Sequence, residues 1–578
     1  MIQVTINDIP LQVKANSTIL EAARSLGIAI PTLCYINLEG FHIKHKVGSC
    51  RICMVEIAGR PNLAPACCTP VSEGMVVHTN NPRVLHARRT VLQLLLSDHP
   101  MECLTCSKSG DCELQKLAAE FEIHDIRYVG EKRSHLKGSS SGAIRRDPEK
   151  CVMCRRCETA CNLIQTVGAL TASSRGFEAI VNTPLGKPLK ETNCTFCGQC
   201  VSVCPTGALT AINVNEKILT ALYRPDTVVV AQTAPSVRVA IGELFGLEAG
   251  SISTGKLVAA LKKLHFKYVF DTDFAADLTI MEETTELLDR VQNNKTLPIL
   301  TSCCPAWVNF LEKQFPDLLE IPSSAKSPQQ MLGAVTKHIW AAKAGYDPAK
   351  VVMVSVMPCV AKKFEASRKE MQTDGIKDVD YVITVRELAA LLKESGINLA
   401  NLKEQPFDNP LGESTGAAAI FGSAGGVLEA VLRTASEMLA GKPLEQIDFQ
   451  AVRGLDGVRS ATVTIGHLEL KVAQASGLGN ARRLLEGIQR GDTSYHAIEI
   501  MACPGGCVNG GGMPYIHGDT SIVEKRSRAL YEVDRSMPRR KSHENEAVAR
   551  LYREHLGCPG SKEAHRLLHT RYFKRDSE

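Results

Sequence analysis

Apolar and polar positions alternate on either side of Asn7-Asp8, and that alternation predicts a β-hairpin over residues 2–13. Thr18 and Glu21 stand at the spacing of a capping box, and Ile19, Leu20, Ala22, Ala23 and Leu26 continue it as a short amphipathic helix ending at Gly27. A hairpin, a helix and then a cysteine-bearing loop predict a small β-grasp unit through about residue 80. Residues 83–97 form a helical run leading into His99-Pro100, and Gly138-Ser139-Ser140-Ser141-Gly142 reads as a loop or linker. From about residue 225 the texture changes. Val228-Val229-Val230, Lys267-Tyr268-Val269-Phe270, Leu297-Pro298-Ile299-Leu300 and Val351-Val352-Met353-Val354 read as short buried strands. They alternate with helical stretches at 254–265, 276–293 and 385–395, an α/β pattern. The end, from about residue 535, is rich in Arg, Lys and His and reads as a solvated helical tail.

At 578 residues the chain exceeds what one hydrophobic core can organise, so about four domains are expected. A hydrophobic fraction of 44% and a charged fraction of 22% are ordinary for a globular protein, and a net charge of +5 gives no argument for nucleic acid. Cysteine changes the picture. Sixteen of the 22 cysteines precede residue 205, mostly in short regular runs. Such runs mean either a secreted disulfide scaffold or metal ligation in a reducing compartment. The segment Met1–Asp8 has no basic and then apolar stretch of a signal peptide, and no apolar run reaches the length of a membrane span. Metal clusters in the cytoplasm are therefore expected.

Cys151-x2-Cys154-x2-Cys157-x3-Cys161 is repeated as Cys194-x2-Cys197-x2-Cys200-x3-Cys204-Pro205. This is the two-cluster ferredoxin spacing, in which the fourth cysteine of each run serves the other cluster. One 4Fe–4S site is thus predicted from Cys151, Cys154, Cys157 and Cys204, and the other from Cys194, Cys197, Cys200 and Cys161. Asn162 stands where a proline usually follows the first run. Cys34, Cys50-x2-Cys53 and Cys67 resemble plant-type 2Fe–2S ligands with a longer first spacing; the adjacent Cys68 is the alternative to Cys67. His99-x3-Cys103-x2-Cys106-x5-Cys112 is a one-His, three-Cys set that alone would suit zinc. Between two cluster modules, a 4Fe–4S cluster with one imidazole ligand is the expectation. Four clusters in one chain make a wire for single electrons.

Three cysteine segments remain: Thr301-Ser302-Cys303-Cys304-Pro305, Met357-Pro358-Cys359-Val360-Ala361-Lys362, and Cys503-Pro504-Gly505-Gly506-Cys507-Val508-Asn509-Gly510-Gly511-Gly512. Each alone could be packing cysteine. Together they resemble the signature loops of the FeFe-hydrogenase active-site domain, and the resemblance extends along essentially the whole chain. It implies an α+β multidomain protein: a β-grasp 2Fe–2S ferredoxin-like domain (1–80), a His/Cys-ligated 4Fe–4S domain (81–140), a two-cluster 4Fe–4S ferredoxin-like domain (141–222) and a large α/β H-cluster domain (223–578). The implied H-cluster is a 4Fe–4S cubane joined through a thiolate to a two-iron unit with CO, cyanide and an azadithiolate bridge. By motif position Cys304, Cys359, Cys503 and Cys507 would hold the cubane, with Cys507 bridging.

The same resemblance places the free thiol of Cys303 beside the two-iron unit, at the head of a proton relay through Glu283, Ser323 and Glu286, with Arg290 at the exit. A free thiol's ordinary pKa, near 8.5, suits it to accept and return protons. Glu283, Glu286 and Arg290 share one helical face by spacing. Ser236 and Lys362 match donors to cyanide, and Gln329, Met357 and Met501 match further contacts of the cluster. Met513 departs from the Gln that many relatives carry after the glycines.

No Gly-x-Gly-x-x-Gly opens a helix after a strand, and Gly422-x2-Gly425-Gly426 reads as a tight packing turn. Nicotinamide or flavin chemistry is therefore expected on other chains. The likeness implies reversible H2 oxidation, with electrons passing to flavin/NAD-binding and small 2Fe–2S subunits and to ferredoxin, in a bifurcating hetero-oligomer. Alternatives are a stand-alone ferredoxin-linked hydrogenase, the hydrogenase module of a hydrogen-dependent CO2 reductase, and, without enzyme activity, an electron-wire subunit or an iron–sulfur assembly protein.

Overall fold

The computed structural model describes residues 1–41, 43, 45, 48–134, 141–441, 443, 447–465, 468–492 and 494–575. Residues 138–140 of the expected linker lie outside the described residues.

Ile2–Ile6 and Ile9–Val13 form the hairpin, and both turn residues, Asn7 and Asp8, adopt positive φ (46° and 65°), which matches the twist of the strands it joins. The first strand also pairs in parallel with Met75–His78, giving a five-stranded sheet in the order 9–13, 2–6, 75–78, 54–57, 64–65. The helix Ile19–Ser25 carries the expected box: Thr18 Oγ1 accepts from Glu21 N at 3.2 Å, and Glu21 Oε2 accepts from Thr18 N at 2.8 Å. The helix Pro82–Asp98, capped by Asn81, then delivers the chain to His99. Farther on, the short strands Ile144–Arg146 and Leu209–Ala211 pair antiparallel and close the duplicated cysteine unit at its two ends.

The C-terminal part is built on two four-stranded sheets. In one, Tyr268–Asp271, Val228–Thr233, Val351–Met357 and Tyr381–Thr384 are all parallel. In the other, Ile299–Leu300, Ala497–Met501 and Leu468–Ser476 run parallel and Val458–Ile465 closes the edge antiparallel. Val228–Thr233 is buried at every residue, as a strand covered on both faces must be. The long helix Asp273–Gln292 packs against the helices Pro328–Val335 and Gly426–Ala440 and buries even Asp277, Glu282 and Glu283. The α+β multidomain class and the α/β texture are as the pattern predicts.

The glycine cluster is a packing turn, as expected. Gly425 has φ +87°, and a Cβ there would stand 1.9 Å from Val452 O. Its N–H and that of Leu428 donate to the buried carboxylate of Glu499 at 2.7 and 2.8 Å, which satisfies the start of the helix Gly426–Ala440.

The tail is not a solvated helix. Ser521–Ser536, Glu546–Leu551 and Lys562–Leu568 are docked helices, and Val523, Leu530, Ser542, Val548, Leu556 and Leu568 are buried. Several of its basic residues are paired, Arg540 with Asp534 at 2.6 Å, Lys541 with Glu437 at 2.7 Å and Arg575 with Glu312 at 2.8 Å, and in the helix just before it Arg526 pairs with Glu243 at 2.6 Å. Arg433, fully buried, bridges Glu429 and Asp534 at 2.7 and 2.9 Å. Removing one partner from such a network leaves an uncompensated buried charge and costs about 3–5 kcal/mol. Composition alone reports the positive charge but not the carboxylates awaiting it. No helix among the described residues is long and apolar enough to cross a membrane.

Candidate active site and cluster sites

Four loops leave the carboxyl ends of parallel strands and meet in one cavity. Ala234-Pro235-Ser236 follows Val228–Thr233, Cys359 follows Val351–Met357, Cys303 and Cys304 follow Ile299–Leu300, and Cys503 and Cys507 follow Ala497–Met501. In open α/β sheets this edge is where loops splay and ligands bind. All five cysteines border the cavity as unpaired thiols. Met357, Met501 and Phe421 make much of the remaining lining apolar. Ser236, Gln329 and Lys362 supply polar atoms, so the residues expected around the cluster border one cavity.

Two of these polar groups are poised for something further. Ser236 Oγ and Gln329 Oε1 are buried without a partner, a condition that costs free energy unless a ligand or water satisfies it. Lys362 Nζ donates to Cys303 O at 2.9 Å and lies 3.1 Å from Glu365 Oε2. Burial works to deprotonate this lysine, but Glu365 and the thiols of Cys303 and Cys359 outweigh it and hold the ammonium above its ordinary pKa. Met513 is buried in the neighbouring core and does not line the cavity.

The residues expected to carry protons lie near Cys303, with Glu283 close enough to act on its thiol. Glu283 Oε1 accepts from both Ser302 N and Ser302 Oγ at 3.2 Å, while Glu283 Oε2 is buried and unpartnered. Ser323 Oγ donates to Glu286 Oε2 at 3.0 Å, and Arg290 holds Glu286 Oε1 at 2.6 Å. The hydrogen bonds shown therefore join Ser323 to Glu286; Glu283 is held by Ser302, a residue not singled out from the motif.

The amino-terminal cysteines also assemble as spaced. Cys151, Cys154, Cys157 and Cys204 line one cavity, and Cys161, Cys194, Cys197 and Cys200 line a second. Cys34, Cys50, Cys53 and Cys67 are buried together, with Cys34 N donating to Cys50 Sγ at 3.4 Å. Side-chain hydrogen bonds from Cys50 and Cys67 pull the Cys34 thiol down, as expected where thiols crowd one spot. Cys68 is exposed, 3.9 Å from Pro65 O, so the geometry groups Cys67 and not Cys68 with the other three. Burial, reinforced by Lys150, lowers His99 to about 4, and its Nδ1 is buried without a partner. A neutral imidazole with a free nitrogen has the chemistry of a metal donor; Cys103, Cys106 and Cys112 are unpaired thiols of intermediate burial.

Comparison with known proteins decides what this assembly is. The family model "iron only hydrogenase large subunit, C-terminal domain" matches residues 227–511, and "iron hydrogenase small subunit" matches 520–575. The NADP-reducing hydrogenase subunit HndD of Solidesulfovibrio fructosivorans is 55% identical over 100% of this chain and 99% of its own. Iron hydrogenase 1 of Clostridium pasteurianum is 38% identical over 99% and 100% respectively. The chain belongs to the iron-only (FeFe) hydrogenases.

A solved FeFe-hydrogenase of Chlamydomonas reinhardtii, 42% identical, superposes with a TM-score of 0.57 over 62% of this hydrogenase and 98% of that chain. Family models for a 2Fe-2S iron-sulfur cluster binding domain (1–82), an NADH-ubiquinone oxidoreductase-G iron-sulfur binding region (88–127) and a 4Fe-4S binding domain (188–210) match the amino-terminal part. The hydrogenase thus carries 2Fe–2S and 4Fe–4S clusters beside an H-cluster, and neither a pure electron wire nor an assembly factor describes it. Its main cavity fits that group: unpaired thiols for iron, and the orphaned Ser236 hydroxyl with a lysine ammonium for ligands that accept hydrogen bonds.

Burial changes one sequence argument. It pushes the Cys303 thiol well above its ordinary value, and the nearby Glu283 adds to the effect, so Cys303 rests as a thiol and not near half-ionisation. Burial, then repulsion from Glu286, raises Glu283 to about 8 against the Ser302 hydrogen bonds, so it too rests protonated at neutral pH. Sequence reasoning also missed Tyr572, whose hydroxyl donates to Ser323 O at 2.8 Å and so brings the C-terminal segment over the relay. Nothing in the local pattern around Tyr572 signals this.

A pH dependence follows from Glu283. Its carboxyl ionises near 4.3 when unfolded and at about 8 when folded. The native state therefore binds the extra proton between those values, and stability falls as pH rises through that window. Glu283→Gln removes this contribution. Urea midpoints at pH 5.5 and 8.5 on cluster-free protein should show a smaller alkaline loss in the variant; an equal or larger loss would contradict the assignment.

Proposed function

We propose that this hydrogenase is the H2-activating subunit of a multisubunit, electron-bifurcating complex in the cytoplasm that exchanges electrons with NAD(P) and ferredoxin through flavin-bearing and small 2Fe–2S subunits. The observation that carries this reading is the end-to-end 55% identity with an NADP-reducing hydrogenase subunit. In this reading the chain divides at 1–80, 81–140, 141–222 and 223–578. It holds one 2Fe–2S cluster on Cys34, Cys50, Cys53 and Cys67, and a 4Fe–4S cluster on His99, Cys103, Cys106 and Cys112. Two further 4Fe–4S clusters occupy the paired cavities, and the H-cluster sits on Cys304, Cys359, Cys503 and Cys507. That all 22 cysteines are unpaired supports a reducing compartment.

When bound, the H-cluster supplies the iron chemistry that splits or forms H2. The protein does the rest. Lys362 and Ser236 would hold the cluster by donating to its cyanides and so fix its orientation, while Met357, Met501 and Phe421 keep water away from the site. The Cys303 thiol, protonated at rest, releases its proton toward Glu283 as another reaches Sγ. Glu283, steadied at Oε1 by Ser302, receives it at the free Oε2 once its own resting proton has moved on toward Ser323 and Glu286. Ser323 and Glu286 pass it to the surface, where Arg290 anchors the last carboxylate. A positioned proton carrier of this kind contributes about 10²–10⁴-fold in rate.

Two results are expected. Cys303→Ala should keep metal-bound CO and cyanide bands yet lose at least about 100-fold in H2 turnover; turnover within a few-fold of wild type would remove Cys303 from the path. The enzyme purified anaerobically from its host should bring partner subunits with flavin and reduce NAD(P) with H2 only when ferredoxin is also present. A lone chain reducing ferredoxin alone would overturn the complex.

A further inference from the structure

The wall between the H-cluster cavity and the adjoining cavity of Cys161, Cys194, Cys197 and Cys200 is crossed by two glutamines: Gln165, whose Nε2 donates to Ala502 O at 2.8 Å, and Gln199, which reaches a cysteine sulfur. Gln199 begins the short helix Gln199–Val203, sits between Cys197 and Cys200, and borders the adjoining cavity. It is only 5% exposed. Its amide Nε2 donates to Cys503 Sγ at 3.2 Å and to Asn509 O at 3.1 Å. Asn509 in turn donates from Nδ2 to Pro504 O at 3.1 Å, so the same amide also braces the loop bearing Cys503 and Cys507. Around it the two backbones touch: a Cβ at Gly511 would stand 2.7 Å from Cys197 O, and one at Gly198 would stand 3.1 Å from the Gly511 Cα. A side chain held this closely from both sides is a fixed donor.

We propose that Gln199 is a positioning residue that sets the reduction potential of the H-cluster cubane, and that it does so from within the neighbouring cluster's own ligand loop. The proposal rests on the reading of Cys503 as a cubane ligand. Reduction adds one negative charge to a cubane and spreads it over the sulfurs, so an N–H aimed at a ligand sulfur stabilises the reduced form more than the oxidised. Backbone N–H groups also face these sulfurs, among them Ala502 N to Cys304 Sγ at 3.5 Å. Those are fixed by the main chain; the Gln199 bond, at 3.2 Å, comes from a side chain and is open to substitution. Because Gln199 also belongs to the adjoining loop, it ties the cubane's potential to the position of the site that exchanges electrons with it. The two sites then stay close enough in potential for electrons to pass either way, since each tenfold bias in one-electron exchange corresponds to about 59 mV.

The test uses matured full-length enzyme and a redox titration followed by infrared spectroscopy, with electron paramagnetic resonance for the other clusters. Gln199→Leu keeps the bulk and removes the donor. Gln199→Glu keeps the shape and replaces the donor with an acceptor. CO and cyanide bands in each variant first establish that the H-cluster is held as proposed; their loss in wild type would count against the parent reading and not against Gln199. The expected order of cubane midpoints is wild type highest, then Q199L lower by about 59 mV (tenfold), then Q199E lowest, with the clusters beyond the adjoining one titrating unchanged. Should Q199L fail to assemble, Q199E alone decides by the direction of its shift. Midpoints equal to wild type, or shifts that move all clusters alike, would overturn the proposal.

Discussion

Everything in the catalytic part follows from where parallel strands stop. A thiolate cage for a bulky iron centre needs donors from several directions, and a single loop cannot supply them. Two sheets whose carboxyl edges face one cavity can. The strands ending at Leu300, Met357 and Met501 each release a cysteine loop into the same space, and the strand ending at Thr233 adds Ser236. Short strands fixed by parallel pairing leave little freedom in where those loops start. The glycines after Cys503 then let the backbones close in: a Cβ at Gly506 would stand 2.6 Å from Ala424 N.

Such an edge is expensive to bury, and the protein spends polar groups to stabilise it. Glu499, on the strand that leads to Cys503, caps the helix Gly426–Ala440, and burial raises it to about 7. Glu282 accepts from Tyr552 Oη at 2.5 Å and from Gly560 N at 2.8 Å, both in the C-terminal segment. Asp277 gathers Thr415, Ser542 and Asn545. The long helix Asp273–Gln292 therefore carries the residues of the proposed proton path, Glu283 and Glu286, and acidic anchors for the carboxyl-terminal wrap elsewhere along it. Proton transfer and tertiary docking share one element, which is why the tail matters to the site although it supplies none of the expected ligands.

Much of this was legible in the chain itself. The Asn7-Asp8 turn, the Thr18–Glu21 box and the buried valine strands are local signals, and each formed where the pattern put it. Spacing rules sorted the eight ferredoxin-type cysteines into the two groups that the cavities show. Charge composition misled about the tail, because Arg526 and Arg575 find their carboxylates some 280 and 260 residues away in sequence. The same distance hid Tyr572 and the reach of Gln199 to Cys503. The ordinary pKa of a free thiol was a poor guide for Cys303, since burial dominates once the cavity has formed.

The central claim is that the late cysteine loops converge on one organometallic iron centre bridged through Cys507. Infrared spectra of anaerobically matured wild type and Cys507→Ala test it most directly. The account predicts metal-bound CO and cyanide bands in the wild type, with H2 turnover, and no such bands in the variant. Identical bands in both proteins, or none in a fully matured wild type, would contradict it.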